Sequence, residues 1–140
     1  MNYSLIITNW LENKSALSFV RRKVFIEEQQ VPEDMEWDEF DEISHHVIAL
    51  DDDNQAIACG RLKPDGQIGR MAVINEWRNR GVGSAILGKL IEEAAMMGLD
   101  ELYLHAQVSA IPFYTRHGFH IASEEFMEAG IPHRTMKKIR

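Results

Sequence analysis

A short glycine-containing turn is the part of the sequence whose residue types and spacing point most directly to chemistry. Arg78 to Ser84 reads Arg-Asn-Arg-Gly-Val-Gly-Ser and lies between a strand-like apolar run and the longest helical pattern. Free amides at a helix start attract anions, and glycines such as Gly81 and Gly83 let the backbone approach a bulky anion. The segment matches neither the dinucleotide pattern G-x-G-x-x-G nor the P-loop ending G-K-[ST]. It predicts a phosphate-binding turn of the form R-x-x-G-x-G, and the alternative is a tight loop with solvated arginines.

The histidines and the cysteine do not favour metal or thiol chemistry. His45 and His46 are adjacent on a predicted strand, and His117 and His120 flank a glycine, so neither pair has the spacing of helical metal ligands. Cys59 is the only cysteine, which excludes an intramolecular disulfide and a multi-cysteine zinc site. It lies in an apolar run and is expected to be a small buried side chain. We therefore expect no metal.

Apolar periodicity predicts the elements that position the turn. Apolar runs bounded by turn residues predict strands at 4–9, 46–50, 56–62, 68–74, 101–107, 119–123 and 134–139. Helical spacing predicts helices at 15–29, 83–97 and 110–117. Ser15 is the expected N-cap of the first helix, and Arg21 and Arg22 are expected on its solvent side.

The order of these elements predicts an α+β fold in a single domain over residues 1–140. Strand, helix and strand between 68 and 107 predict a right-handed parallel crossover within an otherwise antiparallel sheet. The acidic stretch at 33–42 is expected to be an ordered loop or short helix, because Met35, Trp37 and Phe40 anchor it.

Charge is divided unevenly along the chain. The formal net charge is −7, and residues 27–53 contain twelve Asp or Glu and no Lys or Arg, so the rest of the chain is net basic. A net acidic protein is a poor nonspecific DNA binder, and no run of about 18 apolar residues predicts a membrane span. With one cysteine and no secretory leader pattern, the sequence predicts a cytoplasmic protein with no nucleic-acid or membrane partner.

Two motifs together resemble those of the GNAT superfamily of acyl-CoA N-acyltransferases. Arg78, Gly81 and Gly83 match its pyrophosphate motif Q/R-x-x-G-x-G/A in register. The segment AIPFYTRHGF, residues 110–119, matches a second family motif, A-x-x-F-Y-x-x-x-G-F. The segments VFIEEQQVP, HAQ and EAGIPH are similar to the ElaA and YjcF-type subgroup. The resemblance covers nearly the whole chain and implies the GNAT fold, an α/β/α sandwich.

The resemblance implies a site for acetyl-CoA and direct transfer of its acetyl group to an amine. Tyr114 occupies the family's general-acid position, where its phenol protonates the departing thiolate. The alternative for Tyr114 is a packed aromatic side chain. A backbone amide near Val73 could stabilise charge on the thioester oxygen. The residues implied in cofactor binding are Met71, Ala72, Val73, Arg78, Asn79, Arg80, Gly81, Val82, Gly83, Ser84, Gln107, Tyr114 and Arg116.

The acceptor side of the reaction stays open. The amine must lose a proton, and the candidate bases are Glu27, Glu28 and His133. Adjacent helical positions point about 100° apart, so one of the two glutamates at most is expected to face the acceptor cleft. Solvated glutamates and a histidine bonded to backbone are the alternatives. There are two alternative functions: a noncatalytic module that binds acyl-CoA, and an enzyme that acetylates amines of proteins. A homodimer is the candidate assembly.

Overall fold

The computed structural model describes residues 2–139, which form a mixed sheet with helices on both faces. The eight strands are β1 (Tyr3–Thr8), β2 (His45–Asp51), β3 (Ala56–Leu62), β4 (Gln67–Val73), β5 (Glu101–Gln107), β6 (His120–Ile121), β7 (Phe126–Glu128) and β8 (Ile131–Ile139). The four α-helices are α1 (Trp10–Arg21), α2 (Glu33–Glu36), α3 (Val82–Met96) and α4 (Ile111–Arg116). A π-helical segment at Arg22–Glu28 continues α1, and short 3₁₀ turns lie at Asn75–Trp77 and Val108–Ala110.

The sheet confirms the predicted architecture. Its strand order is β1-β2-β3-β4-β5-β8-β6, with β7 paired to β8. The β4–β5 pair is parallel and every other pair is antiparallel, so α3 is the crossover that the sequence predicts. On β2, Val47 packs in the cluster that contains α3 residues, whereas the adjacent Ile48 packs with α1 residues. Because neighbouring strand residues point to opposite faces, α1 and α3 cover opposite sides of the sheet.

A divergence of β4 from β5 opens the middle of the sheet. The two strands pair only at Gln67 with Tyr103 and at Ile68 with Leu104. Just beyond, Arg70 has a left-handed φ of 50°, and the β3–β4 register shifts between Cys59 and Arg61. An irregularity of this kind bends a strand away from its partner. The carboxyl-terminal half of β4 is therefore free of β5.

Three arginines, of which Arg21 and Arg61 are buried, hold the acidic segment against the sheet. Arg21 is 1% exposed, so its expected place on the solvent side of the first helix is wrong. Its Nε donates to Glu36 Oε2 at 2.9 Å and its Nη1 to Asp41 Oδ1 at 2.7 Å. From β3, Arg61 also binds Asp41, and from β4, Arg70 binds Glu36. The segment is thus ordered, as expected, and internal ion pairs hold it in addition to Trp37. Met35 is 51% exposed, so its expected role as an anchor is wrong.

Replacing Arg21 should destabilise the fold strongly. Arg21→Met leaves the carboxylates of Glu36 and Asp41 buried without their main partner, and breaking such a pair costs about 3–5 kcal/mol. Urea unfolding measures the loss. Arg22→Met is the matched control, because the adjacent Arg22 pairs with Glu33 at the surface and should matter far less. Equal stability losses in the two variants would contradict the assignment of Arg21 as the organiser of this segment.

The buried His46 should make folding stability depend on pH. Burial, with the charges of Arg21 and Arg61, lowers the pKa of His46 below its ordinary 6.5, although a bond to the Asp41 carbonyl partly opposes this. As the pH falls, His46 therefore binds a proton in the unfolded chain before it does so in the folded protein. The contribution of His46 to folding stability is complete above pH 6.5 and is lost as the pH falls from 6.5 through the pKa of the folded protein.

We expect the free energy of unfolding to fall from pH 7 to 5, with His46 contributing at most about 1.4 kcal/mol per pH unit. His46→Gln should flatten this slope, measured by urea unfolding at several pH values. His120→Gln, at an exposed position, should leave it as in the parent. An unchanged slope in His46→Gln would rule out this source of pH dependence.

Two local expectations are also wrong. The first helix begins at Trp10, not after Ser15, because the Asn9 side chain caps it by accepting from the Glu12 amide at 2.9 Å. The strand β7 has no counterpart in the sequence prediction. The other predicted strands and the long helix lie within a few residues of their observed bounds. Among residues 2–139, no helix is both long and apolar enough to cross a membrane.

Candidate active site

The glycine turn enters α3 in a conformation that leaves space in front of the helix. Gly81 immediately precedes α3 with a left-handed φ of 80°, and a Cβ added to it would meet nothing within 4 Å. A Cβ on Gly83 would instead lie 3.6 Å from the Phe113 ring, in ordinary contact. The first amides of a helix have no partner within it. Gly81 thus leaves open space beside amides that are able to bind an anion.

Arg78 ties the turn to two other elements. Its Nε donates to the Val73 carbonyl at 2.9 Å, at the end of β4. Its Nη2 donates to Glu28 Oε1 at 2.7 Å, at the end of the π-helical segment. Glu28 is therefore committed to an ion pair. The Arg80 guanidinium lies over the Trp77 ring, 5.5 Å from its centroid.

A cleft of about 390 Å³ lies where β4 and β5 diverge. Its walls include Arg70 and Met71 from β4, His105 and Gln107 from β5, Tyr114 from α4, and His133 from β8. The volume falls in the range of small-molecule sites. Neither Glu27 nor Glu28 lines the cleft; Gln29 does, and its Oε1 accepts from Gln107 Nε2 at 2.9 Å. Of the three candidate bases, His133 alone lines the cleft.

Tyr114 presents a protonated phenol to this cleft. Its hydroxyl lies 3.9 Å from Met71 Sδ, a long contact that leaves the oxygen available to a ligand. The ring packs edge-on against Phe113 and Phe119, at 5.1 and 6.1 Å between centroids. Burial raises the pKa of Tyr114 to about 12, so the hydroxyl keeps its proton at neutral pH. A group in this state is able to act as an acid rather than a base.

His133 belongs to a cluster that sequence reasoning missed. His133 Nδ1 lies 2.7 Å from the Ile131 carbonyl, and its Nε2 lies 3.7 Å from Glu128 Oε2. The other oxygen of Glu128 lies 2.9 Å from His105 Nδ1. His105 and Glu128 occur in the HAQ and EAGIPH segments, but 23 residues separate them. Only the pairing of β5 and β7 with β8 brings them together.

The remaining sequence-predicted residues lie at the edges of the site. Ser84 Oγ is 3.1 Å from His117 Nε2, which links the start of α3 to the end of α4. Arg116 is exposed in the last turn of α4. Cys59 is buried as expected, and burial raises the pKa of its thiol to about 12, so it is not a reactive thiolate. No group of three or more His, Cys, Asp or Glu side chains within 2–139 is arranged to hold a metal ion.

Comparison with known proteins places this architecture in one family. The model of the acetyltransferase (GNAT) domain matches residues 12–140. The chain therefore belongs to the GNAT acetyltransferase family, which confirms the resemblance seen in its motifs.

Several relatives match this chain over most of their own length. The uncharacterised N-acetyltransferase YjcF of Bacillus subtilis is 39% identical over 124 residues, covering 86% of this chain and 88% of YjcF. ElaA of Escherichia coli is 31% identical over 130 residues, covering 88% and 85%. The crystal structure of an acyl-CoA N-acyltransferase from Pseudomonas aeruginosa has a TM-score of 0.88 at 29% identity, covering 98% of this chain and 99% of that one.

Proposed function

We propose that this protein is an N-acetyltransferase that transfers an acetyl group from acetyl-CoA to a primary amine of a small-molecule acceptor. The observation that carries the proposal is the position of the Tyr114 phenol in the cleft between the diverging β4 and β5. Family membership and the open glycine turn before α3 support the same reaction. The relative from Pseudomonas aeruginosa is named an acyl-CoA N-acyltransferase.

The residues of the turn suit a pyrophosphate. Gly81 leaves open space beside the free amides of α3, and Arg80 adds positive charge on the same turn. The charge of Arg78 is partly balanced by its ion pair with Glu28. The released half of β4, at Met71, Ala72 and Val73, offers backbone groups to the pantetheine arm. Asn79, Val82, Ser84, Gln107 and Arg116 complete the proposed cofactor site.

Tyr114 serves as the general acid of the transfer. When bound, acetyl-CoA supplies the thioester carbonyl. The amine nitrogen forms a bond to that carbonyl carbon while the carbon–sulfur bond breaks. The Tyr114 hydroxyl then gives its proton to the leaving sulfur, which is feasible because the phenol is protonated at neutral pH. The phenolate regains a proton as the new amide nitrogen loses one, so the products are the N-acetylated amine and free CoA thiol.

His133 is the base that the geometry favours among the three candidates. It lines the cleft, whereas Glu28 is paired with Arg78 and Glu27 is exposed outside the cleft. An imidazole has a suitable proton affinity for taking a proton from an ammonium group near neutral pH.

The structure offers little support for the alternative of protein acetylation, in which the acidic segment binds a lysine-rich tail. A lysine-rich tail would dock on free carboxylates, but Glu36 and Asp41 are buried in ion pairs with arginines. A noncatalytic acyl-CoA module would keep the glycine turn, yet it would not require the phenol in the cleft. Both alternatives remain outcomes of the test.

An acceptor screen tests the proposed function. The protein is incubated with acetyl-CoA and a panel of amines, amino sugars and peptides, and release of free CoA thiol is followed. We expect at least one small amine to raise thiol release well above the rate without acceptor. Acetyl-CoA binding without stimulated release would favour the noncatalytic module, and stimulation by peptides alone would favour protein acetylation.

A further inference from the structure

The hairpin that joins β7 to β8 places a carboxylate and an imidazole at one side of the cleft. Glu128 is the last residue of β7, and Ile131 is the first of β8. Between them, Ala129 and Gly130 have left-handed φ values of 52° and 76°, which reverse the chain within two residues. Glu128 therefore lies at a fixed position opposite Ile131. Ile131 precedes His133 by two residues. Both Glu128 and His133 line the cleft.

The hydrogen bonds of the cluster determine which atoms are free to bind a proton. The Ile131 carbonyl can only accept, so His133 Nδ1, 2.7 Å away, must donate to it. In the neutral imidazole the lone pair is then on Nε2, which faces Glu128 Oε2 at 3.7 Å. Two acceptors thus face one another with no proton between them. Such a pair is a receptor for a group that donates to both.

The surrounding residues keep Glu128 anionic and the rings in place. The bond from His105 lowers the pKa of Glu128, burial opposes this, and the charges of His105 and Arg70 lower it further. The Phe126 ring stacks on His133 at 6.0 Å and packs edge-on against His105 at 5.2 Å. The Glu128 side chain is still 46% exposed, so it is accessible from the cleft.

We propose that Glu128 and His133 form the binding site for the acceptor's ammonium group, an inference that rests on the proposed transferase function. The ammonium donates to Glu128 Oε2 and to His133 Nε2. One ammonium N–H bond breaks as a new N–H bond forms on His133 Nε2, and the amine keeps the lone pair that attacks the thioester. The Glu128 carboxylate stabilises the imidazolium that results.

The same geometry indicates which chemical class of acceptor the site prefers. Glu36 also lines the cleft, but its carboxylate binds Arg21 and Arg70 and its side chain is 4% exposed. Glu128 is thus the carboxylate in the cleft walls that stays accessible to a cation. The site therefore selects acceptors that are protonated amines in solution over amides or alcohols.

Glu128→Gln tests the assignment with Glu125→Gln as its control. Gln keeps the shape of the side chain and removes the charge, and Glu125 is an exposed glutamate beside β7. With an amine found in the acceptor screen, we expect Glu128→Gln to raise the KM for the amine about 10- to 100-fold, because a hydrogen bond to a charged group is lost. The dissociation constant for acetyl-CoA should be unchanged. Glu125→Gln should keep both constants within about twofold, as expected of a surface substitution.

Nitrogen NMR of the histidine side chains gives a readout that needs no turnover. We expect neutral His133 to carry its proton on Nδ1 in the folded protein. A proton on Nε2 instead, or an unchanged amine KM in Glu128→Gln, would overturn the ammonium site while leaving the transferase function in place. If the parent protein acetylates no amine in the panel, the transferase function fails and the ammonium site fails with it.

Discussion

Gly81→Glu should abolish acetyl-CoA binding. Gly81 has a left-handed φ of 80°, and its missing Cβ points into open space before α3. A glutamate there adds bulk and negative charge where the pyrophosphate is proposed to bind, beside the positive end of the helix dipole. We expect the dissociation constant for acetyl-CoA, measured by calorimetry, to rise at least about 100-fold, equivalent to about 2.7 kcal/mol.

Two further glycine variants show whether the effect of Gly81→Glu comes from the added charge at this position or from strain in the backbone. Gly88→Glu adds the same charge to the exposed side of the same helix, about 10 Å further along, and should leave affinity nearly unchanged. Gly81→Asn tests the backbone, because asparagine tolerates the left-handed region better than other residues. It should therefore reduce stability less than Gly81→Glu does. Parent-like affinity in a folded Gly81→Glu protein would remove the pyrophosphate assignment.

Tyr114→Phe should lower kcat by about 100-fold or more, the usual scale of general acid catalysis. The substitution keeps the ring that packs on Phe113 and Phe119 and removes only the hydroxyl, which lies 3.9 Å from Met71 Sδ. Stability and acetyl-CoA affinity should therefore change little. Steady-state kinetics with an amine from the acceptor screen measures the effect.

Tyr103 offers a closely matched control for Tyr114. Burial and a bond to Asp65 raise the pKa of Tyr103 to about 12, like that of Tyr114, but Tyr103 is not among the residues that line the cleft. Tyr103→Phe should keep kcat within about twofold, as for a substitution away from the site. If both variants turn over at the parent rate, Tyr114 is a packed aromatic residue and another group protonates the thiolate.

The elements that were predicted well are those with a regular apolar period. The strands Ala56–Leu62 and Glu101–Gln107 lie where the apolar runs between turn residues placed them, and the stripe of apolar residues gave the long helix to within one residue. The proposed phosphate-binding turn could be inferred from the sequence alone for a similar reason, since its residues are contiguous. Local sequence patterns are enough to predict local structure, so these elements can be predicted without knowing which distant residues they contact.

The acceptor side depends on long-range contacts that no local pattern reveals. Arg21 is buried because its carboxylate partners, 15 and 20 residues further on, fold back over it. Beyond Arg21 the helix widens into a π-helical segment, which changes the direction of each side chain. Gln29, rather than Glu27 or Glu28, therefore lines the cleft. Glu128 was missed because β7 is three residues long and has no periodicity to detect.

The uneven charge of the sequence has a structural explanation. Part of the acidic stretch neutralises Arg21, Arg61 and Arg70 inside the protein, so it does not act wholly as a negative surface. The same contacts fasten this segment to β4 where Arg70 bends the strand. Of the two glutamates that line the cleft, Glu36 is buried in ion pairs and Glu128 stays exposed.

The most direct test follows the acetyl group itself. The protein is incubated with isotopically labelled acetyl-CoA and an amine that stimulates thiol release, and the products are separated and identified by mass spectrometry. Transfer predicts one labelled N-acetylated amine for each free CoA formed, and a parallel loss of both products in Tyr114→Phe. Label recovered only as free acetate, with the amine unmodified, would contradict an N-acetyltransferase function.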